Sequence, residues 1–175
     1  MSSKVNENRY MEMALKLAEE AALRGEVPVG AVVVHQDPQS HEERVIGLGF
    51  NLRETTQDPS AHAEIVAMRR AAQSLGHWRL NDCTLYVTLE PCPMCAGAIV
   101  NARVSHVVYG CDDHKAGAVR SLYTLITDSR LNHRLSYEHG VEADRCAQVL
   151  KQFFKRRRAE KKAEKVKRQT LDEQS

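Results

Sequence analysis

No run of apolar residues in this 175-residue chain approaches the roughly 18 to 20 that cross a bilayer as a helix. The opening stretch MSSKVNENRY is polar and mixed in charge, with no apolar segment behind it of the kind an export signal uses. A cytoplasmic protein with no membrane partner is the expectation. Cysteine is also too sparse for a scaffold: the count of five is odd, and only Cys92 and Cys95 lie close together, while Cys83, Cys111 and Cys146 are scattered. That argues against a disulfide framework. Internal repeats and low-complexity linkers are missing too. At 42% hydrophobic and 27% charged residues, the chain reads as one globular domain large enough to bury a real core.

What is present is an uneven charge. Residues 1–150 carry 15 Lys and Arg against 19 Asp and Glu, a net of −4, whereas residues 151–168 carry 10 against 2, a net of +8. Such a segment is an electrostatic footprint for a polyanion if it forms one face, although runs of this kind are often only a solvated helix.

Periodicity orders the rest. Tyr10, Met13, Ala14, Leu17, Ala18 and Ala21 recur at helical spacing ahead of Gly25 and Pro28, and predict a first helix. VGAVVVH (29–35) and RVIGLGF (44–50) flank a polar stretch holding Asp37 and Pro38, and predict a hairpin with a rather long loop, 36–43. Asp58, Pro59 and Ser60 mark the entry of a helix that reaches about Leu75 before Gly76. CTLYVTL (83–89) reads as a buried strand, Pro91 opens a helix from 92 to about 102, and VSHVVYG (104–110) is another strand. A helix near 117–126, a short strand near 135–139 and a final helix from about 142 complete the series. Strand and helix alternate as in a layered α/β sheet. The final helix begins with apolar Val149, Leu150, Phe153 and Phe154 and then turns basic, so it is expected to leave the core as a frayed, solvated extension.

Two helix entries carry groups a core does not need: His62 and Glu64 in SAHAEIVAMRR, Cys92 and Cys95 in TLEPCPMCAGA. Three positions apart on a first turn, Cys92 and Cys95 share a face and suit one metal ion; alone they fit a redox pair or two small buried residues equally well. His62 changes the balance. If the two helix starts converge, one His and two Cys make three protein ligands and leave a fourth tetrahedral position open, as in a catalytic zinc site, where bound water ionises near neutral pH. Glu64 lies two residues after His62, about 200° away around a regular helix, and by itself reads as a first-turn charge. At a helix end aimed at the metal, however, both side chains can flank one point, and a carboxylate there can take and return a proton.

HAE followed by PCxxC resembles the signature of the zinc-dependent cytidine and nucleobase deaminase superfamily. NLRETTQDPSAHAEI, the stretch from WRLNDC to VVYGCDD, and KQFFKRRR extend the likeness to the bacterial tRNA-specific adenosine deaminases over roughly residues 6 to 160. The resemblance implies a three-layer α/β fold with a five-stranded mixed sheet flanked by helices. It implies one zinc per subunit on His62, Cys92 and Cys95, and Glu64 as catalytic proton shuttle. The reaction it implies is hydrolysis of the wobble adenosine of a tRNA anticodon to inosine, with release of ammonia. Asn51 matches a position holding base and ribose, although unaided it reads as a turn residue. Asp113 and Lys115 match a loop touching the target nucleotide, and Phe153, Phe154 and Arg157 match a terminal helix against the anticodon arm, where one phenylalanine is expected in the core. A homodimer is implied as well. The deaminase domain is expected over 1–158 and the basic extension over 159–175, and the polar hairpin insert QDPQSHEE is longer than the family leads one to expect. A deaminase of free guanine or cytosine and a silent zinc module that binds RNA are the rival readings.

Overall fold

The computed structural model describes residues 2–172, with side chains described over 8–169. In chain order the elements are α1 (Ser2–Leu23), β1 (Gly30–Gln36), β2 (Glu43–Phe50), a single turn α2 (Arg53–Thr56), α3 (Ala63–Leu75), β3 (Cys83–Leu89), α4 (Pro93–Asn101), β4 (His106–Cys111), a 3₁₀ turn (Leu125–Thr127), β5 (Ser136–His139) and α5 (Ala143–Asp172). The five strands form one mixed sheet in the order β2-β1-β3-β4-β5. β1 pairs antiparallel with both β2 and β3, whereas β3–β4 and β4–β5 are parallel.

Alternation along the strands makes two cores. Ala31, Val33, Leu85, Val87, Val107 and Tyr109 face α3 and α4, while Val32, Val34, Tyr86 and Val108 face α1 and the start of α5. The expected three-layer architecture is therefore the observed one. On β2, Gly47 and Gly49 share a face two residues apart, and a Cβ at either would overlap the backbone carbonyl of Ala67 or Ala63. Glycine here lets α3 lie directly on the sheet, which fixes where its first turn points.

Three expectations need correction. The helix after Asp58-Pro59-Ser60 begins only at Ala63. Asp58 Oδ1 accepts the Ser60 N–H at 2.8 Å and hydroxyl at 2.7 Å, so the Pro59 segment is a side-chain-closed turn ahead of the helix. Residues 117–126 form turns rather than a helix, because the amides of Val119, Arg120 and Ser121 are all taken by the carboxylate of Glu90. The basic segment, expected to fray, is continuous helix as far as Asp172, and it is exposed all round from Phe154 to Gln169. The hairpin insert closes as a turn in which Asp37 Oδ1 accepts the amides of Gln39 and Ser40 at 2.9 and 2.8 Å. Among the described residues no helix is long and apolar enough to cross a membrane.

Candidate active site

The carboxyl end of β3 meets the amino ends of α3 and α4. Cys92 is the N-cap of α4, followed by Pro93 in the first turn, where the missing N–H costs no hydrogen bond. His62 is the N-cap of α3, with extended backbone angles of φ −74° and ψ 154°. That cap position removes the angular objection to Glu64. His62 lies outside the helical spiral, so its ring and the Glu64 carboxylate, at the second helical residue, both reach the same cavity.

His62 Nδ1 is 3.6 Å from Cys92 Sγ and 3.5 Å from Cys95 Sγ. Around a tetrahedral zinc, with Zn–S of about 2.3 Å and Zn–N of about 2.0 Å, nitrogen and sulfur ligands sit about 3.5 Å apart, so both nitrogen–sulfur pairs are already at ligand spacing. Among the described residues this is the one cluster of His, Cys, Asp or Glu side chains that could hold a metal ion. The thiols are unequal: the Cys95 side chain, together with His62, hydrogen-bonds Cys92 and holds its thiol down at about 4, whereas Cys92 and burial push the Cys95 thiol upward. Cys92 is thus the more acidic of the two thiols, and a cation bound there would favour both as thiolates.

Glu64 is 4% exposed, and burial raises its pKa above the usual carboxylate range. The cavity it lines encloses about 160 Å³ and is walled by Val27, Val29, Asn51, Glu90, Asp113 and Ala116 among others. Val27, Asn51 and Arg53 are shared with a larger groove of about 460 Å³. Its far side is α5, through Phe153, Phe154, Arg157, Arg158 and Lys161.

Residues 5–158 match the model of the MafB19-like deaminases. A tRNA-specific adenosine deaminase from Haemophilus influenzae is 46% identical over 160 residues, covering 91% of this chain and 90% of the relative. The chain belongs to the tRNA-specific adenosine deaminase family. A second such relative, from Bacillus subtilis, is 46% identical over 88% of this chain and 92% of its own length. A solved structure from studies of A-to-I editing by tRNA:A34 deaminases at the wobble position of transfer RNA superposes with a TM-score of 0.75. It is 40% identical and covers 81% of this chain and 99% of that one.

Within this family frame, the structure gathers most residues singled out from sequence. Asn51 lines both cavities, but its amide is also a clamp: Oδ1 accepts the Ala63 N–H at 2.9 Å and Nδ2 donates to the Val27 carbonyl at 3.0 Å. It thus fixes the turn between His62 and Glu64. Asn51→Ala should lower stability by about 1 to 3 kcal/mol, since a buried donor and acceptor lose their partners. Urea unfolding checks this, and an unchanged midpoint would contradict the clamp. Asp113 lines the pocket and closes its own turn, its Oδ1 accepting the amides of Lys115 and Ala116 at 2.9 and 3.2 Å. The Lys115 side chain is exposed and is not brought into either cavity. Phe153 is 5% exposed and Phe154 44%, so one ring is core and the other faces the groove, meeting it edge-on at 5.4 Å between centroids.

Sequence reasoning missed Arg53, Glu26 and Glu90. Glu26 is buried and accepts the amides of Glu54 and Thr55 at 3.2 and 2.7 Å, which pins the α2 turn that carries Arg53. A carboxylate just before Val27-Pro28 was its only mark in the sequence.

Proposed function

We propose that the chain hydrolyses the wobble adenosine of a tRNA anticodon to inosine, releasing ammonia, with one zinc ion per subunit on His62, Cys92 and Cys95. The observation that carries this reading is the junction of the two cavities. A small pocket holding Glu64 and the ligand cluster opens into a groove faced with arginines, a lysine and an exposed ring. A free base fills the first and has no use for the second, whereas a nucleotide within an RNA strand needs both.

Zinc bound there would supply a water acidified toward neutral pH. The protein's own groups do the rest. Glu64, in reach of the same point as the ligands, takes the proton lost as water adds to C6 of the base. It delivers that proton to N1, then takes the second proton from the new C6 hydroxyl and passes it to the departing amino nitrogen, so that C6 keeps a carbonyl oxygen, N1 keeps a hydrogen and ammonia leaves. Val27, Val29 and Asn51 wall the space beside Glu64 in which the base would sit. Asn51, with one N–H and one lone pair beyond its clamp, and Asp113, both lining the pocket, would hold the base and ribose. Phe154 offers a stacking face, and Arg157 meets phosphate, with Lys115 available to flanking nucleotides outside the pocket. The apolar surface of α3 and α4, with Met68, Trp78 and Ala98 around it, supports a homodimer through that face, and a tRNA substrate fits a cytoplasmic enzyme.

Ammonia release from tRNA, free adenosine, guanine and cytidine tests the reading. Inosine at the wobble position of tRNA is the expected product, and turnover of guanine or cytidine in its place would overturn it. The groove makes a separate prediction. Deleting the chain from Arg157 onward removes seven Lys and Arg but spares Arg156, which donates to the Ala22 carbonyl at 3.0 Å and covers Phe153. The shortened protein should fold and hold zinc yet bind tRNA more weakly, its salt slope flattened by about 0.7 to 0.9 for every phosphate no longer neutralised. Equal slopes would make the basic helix a bystander.

A further inference from the structure

The pocket has a second buried carboxylate, Glu90, for which the reaction has no task. Its oxygens are fully engaged. Oε1 accepts the amides of Val119 at 3.1 Å, Arg120 at 2.8 Å and Ser121 at 2.9 Å, and Oε2 accepts the Asp113 amide at 3.0 Å and the Ser121 hydroxyl. Burial pulls its pKa upward, but the bonds from Ser121, Arg120 and Asp113 outweigh that and hold it below the ordinary carboxylate value. With five donors on two oxygens, it is poorly placed to act as a base.

All five donors belong to one segment, Asp113–Ser121. That segment includes Asp113 and Ala116, which wall the pocket together with Asn51. Glu90 itself follows β3 and precedes Pro91 and the ligand Cys92, and its own amide donates to the Cys111 carbonyl at 2.9 Å. The carboxylate thus joins the strand that leads to Cys92 and Cys95 with the loop that presents the pocket wall. Gly117 completes the fit: a Cβ there would overlap Glu90 Oε2 and the Asp113 carbonyl. The loop closes on the carboxylate only because residue 117 has no side chain.

We infer that Glu90 is a positioning residue that fixes the Asp113–Ser121 loop as the wall facing the bound nucleotide, and so sets affinity for the RNA rather than the rate of the chemical step. This rests on the RNA deaminase reading above.

Glu90→Gln tests it atom by atom. The amide oxygen can keep the Val119, Arg120 and Ser121 amides, and the Ser121 hydroxyl can reverse to accept. The Asp113 N–H, however, then faces an NH₂ group and has no acceptor. Gly117→Ala disturbs the same contact from the loop side and covers the case in which Glu90→Gln does not fold. Each variant is measured for zinc content, for kcat, KM and Kd with an anticodon stem–loop RNA, and for amide exchange.

Each should hold zinc as the parent does and raise KM and Kd about 5- to 100-fold, the range set by one unsatisfied buried donor, with kcat within about threefold. Exchange at Asp113 and Val119–Ser121 should quicken while β3 stays protected. The double variant should be no worse than the weaker single variant by more than about threefold, because both break one contact. Unchanged KM and Kd with faster exchange would overturn the proposal, as would a kcat loss equal to the KM rise, additive effects, or loop exchange that does not change. A parent protein that binds the RNA but leaves its adenosine intact would sink the deaminase reading instead, and Kd and exchange would still decide the role of Glu90.

Discussion

Glu64→Gln should leave a protein that binds zinc and tRNA like the parent and turns over at least about 100-fold more slowly, the usual scale for losing an acid–base group. The substitution keeps volume and polarity, which matters at a side chain 4% exposed where a cavity or an unpaired charge would confuse the result. What it removes is the capacity to accept a proton and return it. No other group in the pocket stands ready to replace it. Glu90 is saturated by the 113–121 loop, and Asp113 Oδ1 is engaged by the amides of its own turn. Single-turnover measurement with saturating enzyme separates the chemical step from binding. Near-parent rates in a zinc-replete Glu64→Gln protein would mean that another group moves the proton, and Asp113, the remaining carboxylate of the pocket, would be the first to test.

The residues proposed to bear the chemistry stand out in the sequence because their type and spacing are themselves the signal, and the fold brings His62, Cys92 and Cys95 into one cluster that could hold a metal ion. Cys92 and Cys95 three apart, with His62 and Glu64 at another helix entry, fit the donor set of a metal site whatever lies between. Strand β3 was legible to its exact ends because seven residues rich in β-branched and apolar side chains leave no other buried option. Elsewhere local pattern was overruled from a distance. Residues 117–126 hold Ala118, Val119, Leu122, Leu125 and Ile126 at helix-like spacing, yet Glu90, about thirty positions upstream, claims the amides a helix would have used. The start of α3 was misplaced for a similar reason, since the cap on Ala63 comes from Asn51. A lone Glu among charged neighbours reads as surface, so neither Glu26 nor Glu90 could announce itself as the anchor of a loop. Only the fold shows that each faces a row of backbone donors.

The second large effect concerns the metal. Replacing both Cys92 and Cys95 by Ser should reduce bound zinc from about one per chain to almost none and abolish deamination, because a single imidazole cannot hold the ion at a site built for three protein ligands. The same change should lower thermal stability, since an ion bound only by the folded state adds RT ln(1 + [L]/Kd) to it, and an ion here would tie the first turns of α3 and α4 together. The other three cysteines supply the control within the same chain. Burial pushes the thiols of Cys83 and Cys146 up to about 12 and that of Cys111 to about 11, which makes them poor nucleophiles, and none of the three belongs to the His62, Cys92 and Cys95 cluster. Cys92, held at about 4 and partly exposed, is the opposite case. Replacing Cys83, Cys111 and Cys146 by Ala or Ser should therefore leave zinc content unchanged. Chelation should expose one fast-alkylating thiol, Cys92, that zinc protects, with the buried Cys95 following more slowly. A full zinc load in Cys92→Ser/Cys95→Ser, or rapid alkylation of Cys83 or Cys146 in the folded protein, would place the metal somewhere other than between these two helix ends.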